Sequence, residues 1–96
     1  MPAAASPLQP YSSDAGGLTI KNMRTFFWLA WLQNYHAVAR HLNVTQPAVT
    51  ARIAALEDEL GISLFSRSQR NFELSPEGKD ALRMCEEVLD AVDTMR

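Results

Sequence analysis

Cysteine, histidine and long apolar runs are scarce in this chain of 96 residues, and each shortage excludes a class of protein. The single cysteine, Cys85, cannot form an internal disulfide, which suits a reducing cytoplasm. No apolar run approaches the ~20 residues that a membrane-spanning helix needs, so we expect no membrane partner. The N-terminus has neither the basic start nor the apolar core of a signal peptide.

Residue sets for metal binding or covalent chemistry are also missing. His36 and His41 are five positions apart and point to different sides of a helix, and with one distant cysteine they make no zinc site. No convincing Ser/His/Asp or Cys/His set and no Gly-rich phosphate loop is present. Cys85 fits a small apolar packing residue better than a redox sensor. We therefore predict no catalytic residues, no metal, no cofactor and no enzymatic activity.

Acidic residues are absent from the middle of the chain, although the net charge is −2. From Ala15 to Leu56 there are four cations and no acid, whereas Glu77 to Arg96 carries six acids against three cations. An acidic helix held away from the middle segment would leave a locally positive surface, which is what phosphates respond to. The alternative is two ordinary solvated faces.

The remaining sequence divides the chain into an N-terminal tail, a central region of helices and a last helix. Residues 1–17 are rich in Pro, Ala, Ser and Gly, and we interpret them as a disordered tail. Thr19 is a plausible N-cap for a first helix that runs to about Leu32, with an inward stripe of Ile20, Met23, Phe26, Phe27 and Ala30. Trp28, Leu29, Trp31 and Leu32 make this helix apolar almost all round. A partner helix or subunit would cover them, unless they belong to a crowded monomer core.

The stretch from Ala39 to Glu57 reads as a short helix, a turn at Asn43 and a second helix capped by Thr45. Val49, Ile53, Leu56 and Leu60 form the inward stripe of that second helix, which Gly61 ends. The opposite face carries Pro and Ala and is slim. A slim helix can enter the major groove of DNA, so the stretch predicts a helix-turn-helix reading head.

Two short alternating runs, Ile62–Ser66 and Phe72–Leu74, surround a polar basic loop and predict a small hairpin. Ser75 then caps a last helix that begins at Pro76. Its apolar residues recur at spacings of three, four and three, which is a heptad-like seam; they are Leu82, Cys85, Leu89 and Val92. So short a helix needs a packing partner, most simply its symmetry mate.

Residues 39–67, with Val-Thr-Gln-Pro-Ala-Val-Thr and Leu-Glu-Asp-Glu-Leu-Gly-Ile-Ser-Leu-Phe-Ser-Arg, resemble the DNA-binding domain of LysR-type transcriptional regulators. The likeness extends from about Leu18 to Arg96. It implies a mainly α fold, a winged helix-turn-helix (residues 18–75) of three helices and a small two-stranded wing. A long linker helix (residues 76–96) that pairs two subunits follows. It also implies that a small-molecule effector would act only through a further C-terminal domain, which this chain does not encode.

By that resemblance, five residues match positions that face the major groove: Thr45, Gln46, Pro47, Ala48 and Thr50. The amide of Gln46 can pair with an adenine edge or contact guanine, and Pro47 and Ala48 offer apolar contact to a thymine methyl. The hydroxyl of Thr50 suits a phosphate oxygen, and Thr45 is either a second such contact or only a cap.

Three arginines complete the predicted DNA-binding set. Arg52 is either a reader of base or phosphate or a solvated helix arginine. Arg70 matches the wing arginine that in the family enters the adjacent minor groove, where narrow A·T tracts attract it. Arg67 lies beside it, but it could equally pair with Glu57 or Glu59. The family often carries longer polar residues where this chain has Ala51, Ala54 and Ala55, so shape and the wing should supply more of the specificity.

We therefore predict a cytoplasmic transcriptional regulator that binds double-stranded DNA at an inverted repeat as a homodimer, with tetramers in the full-length family members. The predicted dimer contacts are Trp28, Trp31, Leu82, Cys85, Leu89 and Val92. One alternative is a winged-helix module for protein interaction or dimerisation that does not bind DNA. A nearer alternative is another winged-helix regulator, such as a molybdate-responsive type.

Overall fold

The computed structural model describes residues 16–66 and 72–96, and its regular structure is helical. The described residues form α1 (Ile20–Leu32), α2 (Tyr35–Leu42), α3 (Gln46–Leu60) and α4 (Pro76–Met95). The prediction of a mainly helical fold is thereby confirmed. The predicted tail up to residue 15, together with Arg67 and Arg70, lies outside the described residues.

Each helix begins at a short polar side chain whose oxygen accepts a hydrogen bond from the backbone N–H three positions later. These caps are Thr19, Asn34, Thr45 and Ser75. Such a bond satisfies one of the N–H groups that the first turn of a helix leaves without a partner. The predicted caps Thr19, Thr45 and Ser75 are thus confirmed, and Asn34 is an addition.

The first three helices end at residues with left-handed backbone conformation. Asn43 has φ of 60° and Gly61 has φ of 69°, as their residue types predicted. Gln33 also adopts φ of 58°, at a position where the sequence predicted only a break. The left-handed conformation is more strained for glutamine than for asparagine or glycine, so contacts with neighbouring residues must stabilise this turn.

The core lies around α1, which packs against all three other helices. The buried apolar residues are Met23, Phe26, Leu29, Val38, Ala39, Val49, Ile53, Leu56, Leu64, Ala81, Cys85 and Leu89. The predicted stripe of α3 is largely confirmed. On α1 the prediction was partly wrong, because Leu29 is fully buried whereas Phe27 and Ala30 are half-buried. An all-apolar helix offers several faces, and the packing of the other helices selects one.

The two-stranded wing is not seen among the described residues. The two predicted runs are joined, among the described residues, by an isolated antiparallel bridge between Phe65 and Leu74. Two backbone hydrogen bonds flank the bridge, from Ser66 N to Glu73 O at 2.7 Å and from Ser75 N to Leu64 O at 3.0 Å. Pairing ends at Ser75 on one side because the chain enters α4 at Pro76.

The predicted dimer seam on α4 needs revision. Cys85 and Leu89 are 4% and 6% exposed within a single chain, because this side of α4 packs on α1. Little of either side chain is left to contact a second chain, and Leu82 and Val92 are half-buried. A different apolar stripe of α4 is exposed, formed by Met84, Val88 and Met95.

The two tryptophans of α1 differ in environment. Trp28 is half-buried and its ring lies 4.1 Å from that of His41 and 5.1 Å from that of Phe27. Trp31 is 73% exposed. A large exposed aromatic side chain is a candidate contact for another molecule. The exposure of Trp31 is therefore consistent with the prediction that it contacts a second subunit, which stays a prediction.

The thiol of Cys85 gives a test of the α1–α4 packing. Burial, and to a lesser extent the carboxylate of Glu86, raises the pKa of this thiol. Since the thiolate is the reactive form, a thiol reagent should label the folded protein much more slowly than the protein in denaturant. The folded thiol stays protonated where the unfolded thiol ionises, so this contribution to stability should fall as pH rises above about 8.5. Equal labelling rates in the two states would contradict this packing.

Candidate nucleic-acid interface

A tight corner joins α2 to α3. Asn43 turns the chain in its left-handed conformation, and its N–H donates to Arg40 O at 3.3 Å. The N–H of Val44 donates to Ala39 O at 2.9 Å. These bonds use carbonyl groups that the end of α2 would otherwise leave without partners. The corner therefore fixes the direction in which α3 leaves α2.

The outward face of α3 is slim, as the sequence predicted. It forms a shallow hollow of about 590 Å³ lined by Gln46, Pro47, Thr50, Ala51 and Ala54. We call these five residues the reading face. Beneath them, Val49, Ile53 and Leu56 anchor the helix in the core. Small side chains on the outside and large ones on the inside let the helix backbone approach a concave surface closely.

The polar side chains of this region are exposed, but some of them already form hydrogen bonds within the helix. The hydroxyl of Thr45 accepts from Ala48 N at 3.2 Å, so its capping role is real. The hydroxyl of Thr50 donates to Gln46 O at 3.3 Å. A hydroxyl that caps can still donate its proton, and one that donates can still accept. Gln46 is exposed in the first turn, whereas Ala48 is half-buried beside the reading face.

Arg52 faces away from the reading face. It follows Thr50 by two positions, which is about 200° around a helix. Its guanidinium Nη1 donates to the hydroxyl of Thr25 on α1 at 3.4 Å, and that hydroxyl in turn donates to Lys21 O at 2.9 Å. The side chain is half-buried at the contact of α1 with α3. The contact with α1 explains the position of Arg52 better than a role in DNA contact or a fully solvated side chain does.

Charge is distributed unevenly along α3. The helix carries no acid from Gln46 to Leu56, but its last turn holds Glu57, Asp58 and Glu59. The N-terminal end of a helix also has a partial positive charge from its unpaired N–H groups. An anion is therefore favoured at the Gln46 end and disfavoured at the other.

The carboxylate of Glu57 has a role that the sequence did not indicate. Its Oε2 accepts a hydrogen bond from the backbone N–H of Leu64 at 2.8 Å. Glu57 is half-buried at this contact. No periodicity marks such a contact, because it joins the end of α3 to a non-helical segment.

Gly16 and Gly17, the last two residues of the predicted tail, pack against the helices. The N–H of Gly17 donates to Glu59 Oε1 at 3.2 Å, and its carbonyl accepts from the amide of Asn22 at 2.9 Å. Asn22 is itself buried. Gly16 and Gly17 also line a hollow against the end of α3, so these two residues pack on the fold before α1 begins.

Within residues 16–66 and 72–96, no group of three or more His, Cys, Asp or Glu side chains is placed to hold a metal ion. None of the helices in this part of the chain has the length and hydropathy of a membrane span.

Residues 20–79 match the family model described as bacterial regulatory helix-turn-helix protein, lysR family. Among curated proteins, the regulator TfdS of Cupriavidus pinatubonensis is 41% identical over 83 residues, covering 82% of this chain and 28% of TfdS. The regulator DsdC of Escherichia coli is 39% identical over 77 residues, covering 80% of this chain and 25% of DsdC. The chain thus spans about a quarter of the length of these relatives.

Solved structures of the same kind superpose on the fold. The BenM DNA-binding domain in complex with benA site 1 DNA has a TM-score of 0.76 and 31% identity, over 81% of this chain and 88% of that one. The CbnR DNA-binding domain in complex with DNA has a TM-score of 0.74 and 31% identity, over 81% and 90%. With the family match over residues 20–79, these likenesses identify the chain as a member of the bacterial regulatory helix-turn-helix proteins of the LysR family.

Proposed function

We propose that this chain is the DNA-binding part of a transcriptional regulator, and that it binds an inverted repeat in duplex DNA as a dimer. The reading face of α3 enters the major groove, and the wing that carries Arg70 contacts the flanking minor groove. Arg67 is a further DNA contact beside it. The observation that carries the proposal is the reading face itself, an exposed slim surface without acids at the end of a rigid helix-turn-helix corner.

The charge gradient along α3 supports one direction of approach. The Gln46 end combines the positive helix terminus with an acid-free surface, so this end comes nearest to the phosphates. The carboxylates of Asp58 and Glu59 are exposed at the other end and repel DNA. The helix therefore points its first turn into the groove, and Gln46 is the side chain best placed to read a base edge.

The relatives support the same class of function. TfdS and DsdC are named as transcriptional regulators, and the BenM and CbnR domains were crystallised as DNA complexes. At 31% identity these domains share the fold with this chain.

The dimer that we propose uses the exposed stripe of α4 instead of the buried seam. Met84 is 56% exposed, Val88 39% and Met95 80%, and their spacings of four and seven put them on one side of the helix. Val92 lies at the margin of this stripe, and Trp31 of α1 is a further contact. An apolar stripe at heptad spacing is covered most simply by its own copy in a two-fold arrangement.

An anisotropy titration with an A·T-flanked dyad at several salt concentrations tests the proposed function. The logarithm of affinity should fall linearly with the logarithm of salt concentration, because phosphate contacts release counterions. Affinity that does not change with salt, or no binding to any such dyad, would overturn it. Sizing the protein with and without duplex separates it from a protein-interaction module, which would dimerise without taking up DNA.

Replacing Gln46 with alanine should weaken specific binding by about 1–3 kcal/mol and relax the base preference at one position per half-site, as loss of a direct reader does. Binding to a panel of single-base variants of the dyad measures both effects. Thr50→Ala is the comparison for base preference: losing its predicted phosphate contact should weaken binding to every duplex alike and leave the base preference unchanged. An unchanged base preference in Gln46→Ala would remove this residue from the site.

Replacing Arg70 with alanine should weaken binding and reduce the salt slope by about one, because one cation no longer neutralises the backbone. The control is Arg83→Ala, which removes an exposed cation of α4 whose nearest partner is Asp80 at 3.2 Å. Equal salt slopes for the Arg70 variant and the parent would argue against a wing contact.

Three finer expectations stay predictions. Tetramer formation and control by a small-molecule effector belong, by the family resemblance, to a further C-terminal domain. The cytoplasm is the compartment in which a DNA-binding regulator with a free buried thiol would act.

A further inference from the structure

The outward side of α2 carries basic side chains around a shallow hollow of about 610 Å³. The residues that line the hollow are Leu32, Asn34, His36, Ala37, Arg40 and His41. Its three basic residues, His36, Arg40 and His41, are exposed, and we call them the α2 basic cluster. None of the described residues that line the hollow is acidic, so this side of α2 attracts anions.

His36 and Arg40 share one side of α2, because residues four positions apart on a helix lie one above the other. Neither side chain forms a hydrogen bond or an ion pair with a residue in the described part of the chain. The other two arginines of the acid-free segment are engaged, Arg24 in an ion pair with α4 and Arg52 in a hydrogen bond to α1. Arg40 is therefore the arginine of this segment that is left for an anion from another molecule.

The cluster adjoins the end of α3 that comes nearest to DNA in the proposed complex. The carbonyl group of Arg40 accepts a hydrogen bond from Asn43 N at 3.3 Å, at the corner that leads into α3. In helix-turn-helix proteins the second helix enters the major groove while the first crosses the phosphate backbone. Since α2 is the first helix of this pair, its exposed basic side is available to a phosphate beside the groove.

His41 differs from the other two members of the cluster. Its ring centroid lies 4.1 Å from that of Trp28 on α1, with an angle of 50° between the ring planes. It follows His36 by five positions, which is roughly 140° around a helix, so the two imidazoles point to different sides. His41 therefore packs on α1, which makes it the matched control for His36.

We propose that His36 and Arg40 together bind a backbone phosphate beside the groove that α3 reads, and that a proton on His36 strengthens this contact, so that DNA affinity depends on pH. The inference rests on the proposed function and adds a form of regulation to it. A histidine side chain changes its charge between about pH 5 and pH 8, whereas arginine stays charged.

The surroundings of His36 determine the direction of the pH effect. The charged or titratable groups that line its hollow are Arg40 and His41, both on α2, and the residue contributed by α1 is the uncharged Leu32. A proton on His36 is therefore opposed by cations in the free protein and stabilised by phosphate in the complex. DNA binding then takes up a proton, so affinity should be highest at low pH and fall as pH rises towards about 8.

Titrations of two duplexes of equal length, the A·T-flanked dyad and an unrelated sequence, test this at constant salt. A phosphate contact does not depend on base sequence. Affinity for both duplexes should therefore rise by about three- to tenfold for each chain bound as pH falls from about 8 to about 6. His36→Gln, which is neutral throughout, should match the parent at the higher pH and lose this gain at the lower. His36→Lys, which stays cationic, should bind equally tightly at both.

Two further variants separate the phosphate contact from other effects of pH. Arg40→Gln should weaken binding to both duplexes at every pH and lower the salt slope by about one for each chain bound. His41→Gln should keep the pH dependence of the parent. If His41→Gln loses that dependence while His36→Gln keeps it, the proton is taken up at the contact with α1, and the inference fails.

Failure of the inference differs from failure of the proposed function. A parent that binds neither duplex, or binds without dependence on salt, contradicts the function. A parent that binds with the expected salt slope but with equal affinity at both pH values contradicts only the role of His36. Because His36 is exposed, His36→Gln should melt within a few degrees of the parent. If its affinity keeps the pH dependence of the parent, the inference is overturned.

Discussion

Replacing Phe26 with alanine should lower the free energy of unfolding by about 3–5 kcal/mol, the loss typical of a large buried aromatic side chain. Phe26 is fully buried on α1, and its ring contacts Phe65 at the base of the wing. The variant loses the burial of the ring and leaves a cavity that the surrounding helices can only partly fill. A domain of this size is commonly stable by about 5–15 kcal/mol, so much of the protein should be unfolded under mild conditions.

Chemical denaturation at a fixed protein concentration measures this loss, because a dimer makes the apparent stability depend on concentration. Lys21→Ala, an exposed substitution on the same helix, is the control and should stay within about 0.5 kcal/mol of the parent. A loss of less than about 1 kcal/mol in Phe26→Ala would mean that this ring is not at the centre of the core.

Replacing Gly78 with alanine should destabilise the attachment of α4 by about 1–3 kcal/mol, the usual cost of an overpacked core. A Cβ atom at this position would lie 2.0 Å from Leu64 O, which is a backbone atom that cannot swing aside. Alanine is favoured over glycine in a helix by about 1 kcal/mol, but so close a contact outweighs that gain. The first turn of α4 must then move away from Leu64, whose carbonyl also accepts a hydrogen bond from Ser75 N.

Thermal unfolding and sizing of the Gly78 variant are the measurements. The melting temperature should fall by several degrees, since about 1 kcal/mol corresponds to roughly 4–8 °C in a domain of this size. Dimerisation should weaken as well, because α4 carries the proposed stripe. Lys79→Ala places an alanine one residue further along at an exposed position, and it should leave both quantities unchanged. A more stable Gly78→Ala would mean that the helix tolerates the added methyl group.

Local features were predictable because they depend on neighbours in the chain. Thr19, Thr45 and Ser75 cap their helices, and Asn43 and Gly61 end theirs, as the sequence predicted. A cap needs only a hydrogen bond to an N–H three residues away, and a left-handed turn needs only a residue that tolerates it. The family and the slim reading face followed from residues that lie close together in sequence.

Long-range contacts were not predictable in the same way. The heptad spacing of Cys85 and Leu89 correctly indicated an apolar side of α4, but not that α1 of the same chain would cover it. The sequence allowed Arg52 to be either a DNA contact or a solvated arginine, whereas its hydrogen bond to Thr25 places it between two helices. Periodicity reports which side of a helix is apolar, and it contains no information about which element covers that side.

The sequence by itself determined the helices, three of their four N-caps, the family and the slim exposed side of α3, because each depends on residues within a few turns of one another. The tertiary structure alone decided that Leu29 lies in the core, that the exposed stripe of α4 passes through Met84, and that Glu57 holds Leu64. Those three outcomes depend on how separate segments pack. The fold must bury as much apolar area as possible while giving every buried polar group a hydrogen-bond partner, and only all the segments together can meet that requirement.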